Sequence, residues 1–236
     1  MIKCYYVVQA ASGLPDYYRC IQDRVILISW ESRAPETTLF LPDSSWTTGR
    51  NAAYDYIIEK DISFDYIIFL DDDLRFVDIS PESGFFKFEN FLHDQKPAIA
   101  VPLCWDYNTK RTKIPLLPKS INRQALQNLS LQQQPVDWFD ACFNAFRFDV
   151  FKDSGLLPYD VRYDKSSWYT SQFLLILKAN LLYRNNIVQN NRIKILNNSI
   201  IEGTGTDYPR SLENFGEAYK NFLKEHGIKT VQMTRF

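Results

Sequence analysis

Tyr66-Ile67-Ile68-Phe69-Leu70-Asp71-Asp72-Asp73-Leu74 is the stretch from which the rest of the chain can be read. An unbroken apolar and aromatic run enters directly into three carboxylates. Such a run, preceded by Asp61 and Ser63, predicts a strand buried on both faces. The carboxyl ends of strands in open α/β sheets are where ligands bind. Side chains alternate along an extended chain, so Asp71 and Asp73 are expected on one side and Asp72 on the other. Two oxygen donors on one side suit a hard divalent cation, magnesium or manganese. Without a cation, adjacent carboxylates repel and raise one another's pKa. A bare acidic triplet usually lies on solvated surface. Behind a buried strand it reads as a metal site.

Outward from that stretch, the pattern is strand and helix in alternation. Residues 4–10 and 25–30 predict strands, with a short helix near 15–23 between them. Residues 37–41 predict a third strand. Thr47-Thr48-Gly49-Arg50-Asn51-Ala52 opens a helix that runs to about Glu59. Beyond the triplet come a helix near 85–94 and a buried strand over 97–103. Residues 105–135 are polar and rich in Lys, Arg, Asn and Gln, and predict a loop-rich insertion on the open side of the sheet. A helix near 149–154, a long apolar helix from about Trp168, a strand near Ile193–Leu196 and an amphipathic helix over about 211–226 complete the order. Short connections between these elements argue for a mostly parallel sheet flanked by helices.

Composition narrows the class. A length of 236 residues suits one domain. The net charge of −1 supplies no basic field for nucleic acid or an anionic membrane. Aromatic residues make up 15% of the chain, a surplus that suits stacking or carbohydrate-facing walls beside the core. Cys4, Cys20, Cys104 and Cys142 are far apart, without paired metal spacing, and read as reduced thiols of a cytosolic protein. The first residues lack a secretory signal pattern, and no run reaches the length of a membrane span. A cytoplasmic location is expected, with peripheral attachment at the inner face of a membrane left open. No basic amphipathic helix demands it.

The order of features resembles the GT-A type glycosyltransferases, nearest to the family-2 nucleotide-sugar-dependent transferases. Gly49-Arg50-Asn51-Ala52 followed by a helix and the strand into Asp71-Asp72-Asp73 is similar to that group's Arg-Asn helix start and Asp-X-Asp motif. Asp140-Ala141-Cys142-Phe143-Asn144-Ala145-Phe146-Arg147, with Gly155-Leu156-Leu157, is similar to its acceptor-side strand and the helix after it. The terminal helix through Tyr219-Lys220-Asn221-Phe222-Leu223-Lys224 completes the match. The resemblance implies a GT-A (Rossmann-like) α/β fold over residues 1–236, with a nucleotide-sugar half over about 1–103 and an acceptor half over about 104–236. It implies a nucleotide-diphosphate-sugar donor and a glycan, glycolipid or protein acceptor. Asp73 would ligate Mn2+ or Mg2+ at the diphosphate, and Asp71 would share the metal or contact the ribose, with Asp72 beside them. Ala10, Ala11, Ser12 and Glu31 would border the nucleotide. Asn51 stands with Arg50 on the donor side, where Arg50 pairs with a phosphate or with an aspartate of the triplet. Trp105, Trp138, Trp168 and Tyr169 would face the acceptor.

The match departs at the catalytic base. Where family-2 inverting enzymes carry Glu-Asp before the long helix, this chain has Ser171-Gln172, and neither side chain is a carboxylate base. Asp164 and Asp140 are the substitutes, and Gln172 would steady a transition state in a retaining reaction. Stereochemistry stays open. The family's late metal-ligating histidine is absent from 190–210, leaving Asn197, Asn198 or a water. His93 and His226 read as surface residues. A haloacid-dehalogenase-type phosphatase would carry X-Thr after its acidic pair nearer the N-terminus, whereas Leu74-Arg75 follow here. A sugar nucleotidyltransferase would need a Gly-rich basic loop after its first strand, and Ala11-Ser12-Gly13-Leu14-Pro15 is not one. The non-catalytic reading is a carbohydrate- or nucleotide-binding protein that keeps the fold without the chemistry.

Overall fold

The computed structural model describes residues 2–106, 111–112, 131–197 and 214–228. The strands are β1 (Cys4–Ala10), β2 (Val25–Ser29), β3 (Leu39–Phe40), β4 (Tyr66–Asp71), β5 (Leu74–Phe76), β6 (Ile99–Asp106), β7 (Arg111–Thr112), β8 (Gln133–Pro135), β9 (Phe143–Arg147) and β10 (Ile187–Asn197). The α-helices are α1 (Trp46–Glu59), α2 (Pro81–Gln95), α3 (Phe148–Asp153), α4 (Trp168–Tyr183) and α5 (Phe215–Glu225). A 3-10 helix spans Asp16–Arg24.

One mixed sheet runs β3-β2-β1-β4-β9-β6-β10-β5, with β7 on β6 and β8 on β10. Strands β1 to β4, β6 and β10 point the same way, while β9 lies antiparallel between β4 and β6. Strands from both halves of the chain therefore share one sheet.

The alternation of β4 sorts the core into two layers. Ile67 and Phe69 face α1, α3 and α4 in one apolar cluster; Tyr66, Ile68 and Leu70 face the 3-10 helix and α2 in the other. All of these β4 residues are at most 2% exposed, as the apolar run predicts. Complete burial on both faces is worth about 1.5–3 kcal/mol per large side chain. α2 lies so close to β5 that a Cβ on Gly84 would come within 2.4 Å of the Phe76 ring.

Several expected boundaries move. The third strand shrinks to Leu39–Phe40, and the helix near 85–94 begins at Pro81, capped by the Ser80 hydroxyl accepting from the Ser83 amide. The strand expected near Ile193–Leu196 extends back to Ile187. A polar run hides its first half: Asn190 Oδ1 accepts from the Arg192 and Ile193 amides where the register with β6 shifts. The polar insertion falls mostly outside the described residues; β7 and β8 are its described parts. Cys4, Cys104 and Cys142 are buried and Cys20 exposed, all as free thiols. His93 and His226 lie at the surface. Among the described residues, no helix is long and apolar enough to cross a membrane.

Candidate active site at the end of β4

Asp71 is the last residue of β4 and points to the α1 side of the sheet. α1 is aimed at it by a capping box: the Ser45 hydroxyl accepts from the Thr48 amide, and the Thr48 hydroxyl accepts from the Ser45 amide. Trp46 and Arg50, one turn apart, then share one helix face. Arg50 Nη2 donates to Asp71 Oδ1 at 2.7 Å, and Trp46 Nε1 donates to the same oxygen at 2.9 Å. The guanidinium lies 4.0 Å from the Trp46 ring centroid and 5.3 Å from that of Phe69. Its Nη1 donates to Ala141 O at 2.8 Å and to the Tyr159 hydroxyl at 3.4 Å. Arg50 is 1% exposed, so its charge is committed inside the protein.

Burial pushes the Asp71 carboxyl up to about 7; Arg50 opposes the rise and Asp73 adds to it by repulsion. Asp72 is raised to about 6, again by burial first and then by Asp73. β4 stops at Asp71, and Asp72 and Asp73 form a turn. The alternation expected to place Asp71 and Asp73 on one side therefore ends at Asp71. The turn is held from the other face of the sheet: the Tyr18 hydroxyl donates to Asp71 O at 2.6 Å and accepts from Leu74 N at 3.1 Å. Tyr17 does the same one step on, its hydroxyl accepting from Phe76 N at 2.7 Å. Asn197, at the end of β10, donates to Asp73 Oδ1 at 3.3 Å.

The carboxylates here are donors of the kind a hard divalent cation takes. Asp71 Oδ1 is engaged by Arg50 and Trp46, which fixes the carboxylate plane, while Oδ2 has no hydrogen bond among the described residues. The donors are all oxygens, and cation-free burial makes Asp71 and Asp72 costly to ionise.

The acceptor-side candidates divide. Asp140 is close enough to raise the Asp71 pKa, and its Oδ1 accepts from Cys142 N at 3.0 Å. Gln172 reaches the same segment, donating to Phe139 O at 3.3 Å. Ser171 is buried and donates to Asp160 O. Asp164 meets the start of α1 instead: it accepts a very short hydrogen bond from the cap Ser45, next to Trp46, and its Oδ1 is buried with no hydrogen-bond partner among the described residues. Trp138 is 9% exposed and packs on Tyr169 and Phe173; Trp168 and Tyr169 are half-buried at the start of α4. Trp105 lies on β6, and its side chain, like Asn198, is outside the described residues.

On the donor side, Ala10 ends β1 buried, and Ala11 O accepts from the amides of Glu31 and Ser32. The loops after β1 and β2 thus form one rim, with Ser12 and Glu31 exposed on it. Asn51 makes a two-bond clamp on the Tyr159 backbone, Nδ2 to O at 2.9 Å and N to Oδ1 at 2.7 Å. Sequence reasoning did not single out Trp46, Tyr18 or Tyr159. The helical spacing of Trp46 and Arg50 was the one available signal; Tyr18 and Tyr159 arrive only through tertiary packing.

No family model and no curated protein sequence matches the chain. Solved structures do. S. aureus TarS 1–349 in complex with UDP-GlcNAc superposes with a TM-score of 0.58 at 13% identity, over 95% of this chain and 66% of that one. GalNAc-T7 with UDP, GalNAc and Mn2+ gives 0.55 at 12% identity, over 95% of this chain and 48% of that one. The chain thus spans two thirds or less of these proteins. What they share with it is architecture: the chain has the GT-A fold of glycosyltransferases, as its acidic strand end and Arg-Asn helix imply.

Proposed function

We propose that the protein is a metal-dependent glycosyltransferase that moves a sugar from a nucleoside-diphosphate donor to a hydroxyl acceptor. The observation that carries this reading is the fixed Arg50–Asp71–Trp46 cluster beside the Asp72-Asp73 turn, at the strand end where GT-A folds present their ligand-binding edge. Asp71 and Asp73 would hold Mn2+ or Mg2+, with Asn197 supporting Asp73. Bound there, the cation would supply Lewis-acid chemistry, offsetting negative charge on a leaving nucleoside diphosphate. Ala10 to Ser12 and Glu31 line the nucleotide side. Arg50 keeps Asp71 oriented and itself stays out of the open site, since it is 1% exposed and its Nη1 and Nη2 donate to protein acceptors.

For the acceptor, Asp140 is the better base. It lies in the electrostatic reach of Asp71, whereas Asp164 is engaged with the cap of α1. Gln172 positions the Phe139-Asp140 segment. Aromatic faces at Trp168 and Tyr169 suit a sugar ring. The acceptor in this reading is a glycan, glycolipid or protein, met in the cytoplasm or at the inner membrane face.

A second reading, a nucleotide- or carbohydrate-binding protein without transfer, is favoured by Ser171 and Gln172, whose polar groups both meet backbone carbonyls. Hydrolysis of UDP-sugars by the metal-loaded protein separates the two. The transferase reading predicts slow donor hydrolysis that Asp73→Asn abolishes in a folded protein. Hydrolysis undiminished in that variant would overturn it.

A further inference from the structure

Directly beside the acidic turn, two thiols and a carboxylate from separate segments converge. Cys104 lies near the end of β6; Asp140 and Cys142 flank Ala141 just before β9. Their ligand atoms all lie within 4.8 Å of one another. The Cys104 and Cys142 sulfurs are within that distance of each other, and neither is in a disulfide. Asp140 is anchored by the Cys142 amide at 3.0 Å, and Asn144 Nδ2 donates to Asp140 O at 2.9 Å, so this turn has a set shape. Both cysteines are buried, whereas Asp140 is half-buried and leaves a way in from solvent.

We propose that Cys104, Cys142 and Asp140 form a binding site for a thiophilic divalent cation, zinc above all, distinct from the oxygen site at Asp71 and Asp73. Thiolates select zinc over magnesium or manganese, and two thiolates, one carboxylate and one water complete a tetrahedron. Zinc–sulfur bonds of about 2.3 Å require the two sulfurs about 3.8 Å apart, and a pair already within 4.8 Å reaches that with a small side-chain shift. On binding, both thiol protons leave to solvent and two sulfur–zinc bonds form, with no redox change. The ligands then carry three negative charges against the ion's two positive ones. Arg50, donating to Ala141 O between the two ligands, lies where its charge offsets the excess.

The site has a consequence that rests on the proposed role of Asp140 as base. A carboxylate bound to zinc cannot take the acceptor's proton, so zinc occupancy inhibits transfer without displacing the donor.

Cobalt(II) reports the site without reference to activity, because thiolate ligation gives a strong near-ultraviolet charge-transfer band. Titration of the reduced, metal-free protein is expected to give that band at one cobalt per chain, and zinc is expected to bleach it. Cys104→Ser and Cys142→Ser each abolish it. Cys20→Ser and Asp73→Asn leave it intact. Absence of the band in the unaltered protein, or its survival in a Cys104→Ser/Cys142→Ser double variant, overturns the site; the first result needs no variant to fold. With the band present, zinc at one equivalent is expected to lower the transfer rate at least tenfold, and not in Cys142→Ser. A band with an unchanged rate overturns the inhibitory role alone, while absence of transfer from every preparation counts against the glycosyltransferase reading and leaves the cobalt result standing.

Discussion

Arg50 and Asp71 meet where neither is freely rehydrated, with the guanidinium 1% exposed and the Asp71 side chain 26% exposed. Burial still dominates the carboxyl, holding it near 7 against an unfolded value of 3.8. The native protein thus binds the Asp71 proton more tightly than the unfolded chain. Its contribution to stability is full below the unfolded value and is lost as pH rises from 3.8 toward about 7. Chemical denaturation of metal-free protein at pH 5 and pH 8 is expected to show that decline, and saturating Mn2+ to remove it. Equal midpoints for the metal-free protein and its Asp71→Asn variant across the two pH values would contradict the account. Arg50→Met strands the carboxylate and is expected to cost about 3–5 kcal/mol at pH 8. The cost shrinks at pH 5, where Asp71 is protonated. The acidic residues and Arg50 were legible because their neighbours in sequence announce them. The partner that Arg50 chose was not, since a phosphate and Asp71 are equal candidates until the helix is placed.

At the scale of elements, the strand end works only because a neighbouring element holds its turn. Tyr18, on the 3-10 helix, bridges Asp71 O and Leu74 N across the acidic residues. Tyr18→Phe leaves both backbone groups buried without this partner and is expected to cost about 1–3 kcal/mol, with weaker Mn2+ binding measured by calorimetry. Unchanged stability and unchanged Mn2+ affinity would remove Tyr18 from the account. Gly84→Ala tests the packing behind that turn. Its Cβ would intrude on Phe76, whose ring is set against Phe85 and Phe143, and a loss of about 1–3 kcal/mol is expected despite alanine's better helix propensity. A stabilised variant would show that α2 can move away. Strands β1, β2 and β4 could be read from sequence because both faces are apolar. β10 was half hidden, since its bulge is built from Asn side chains that read as loop.

For the whole molecule, periodicity gave a helix-flanked, mostly parallel sheet but not the order of its strands. β9 lies antiparallel between β4 and β6, and no local pattern specifies that placement. It is also what carries the Asp140–Cys142 turn next to Asp71, through the Asp71 amide donating to Cys142 O at 2.9 Å. The candidate site was thus legible on its donor side, where one strand and one helix start hold most of it. On the acceptor side it was not, because the choice between Asp140 and Asp164 depends on that strand order. The most direct test of the central claim is calorimetric titration of UDP, GDP, CMP and dTDP with and without Mn2+. The account predicts that one nucleoside diphosphate binds only with Mn2+, and that Asp73→Asn loses this binding while remaining folded. Failure of every nucleotide to bind, with or without the metal, would contradict it.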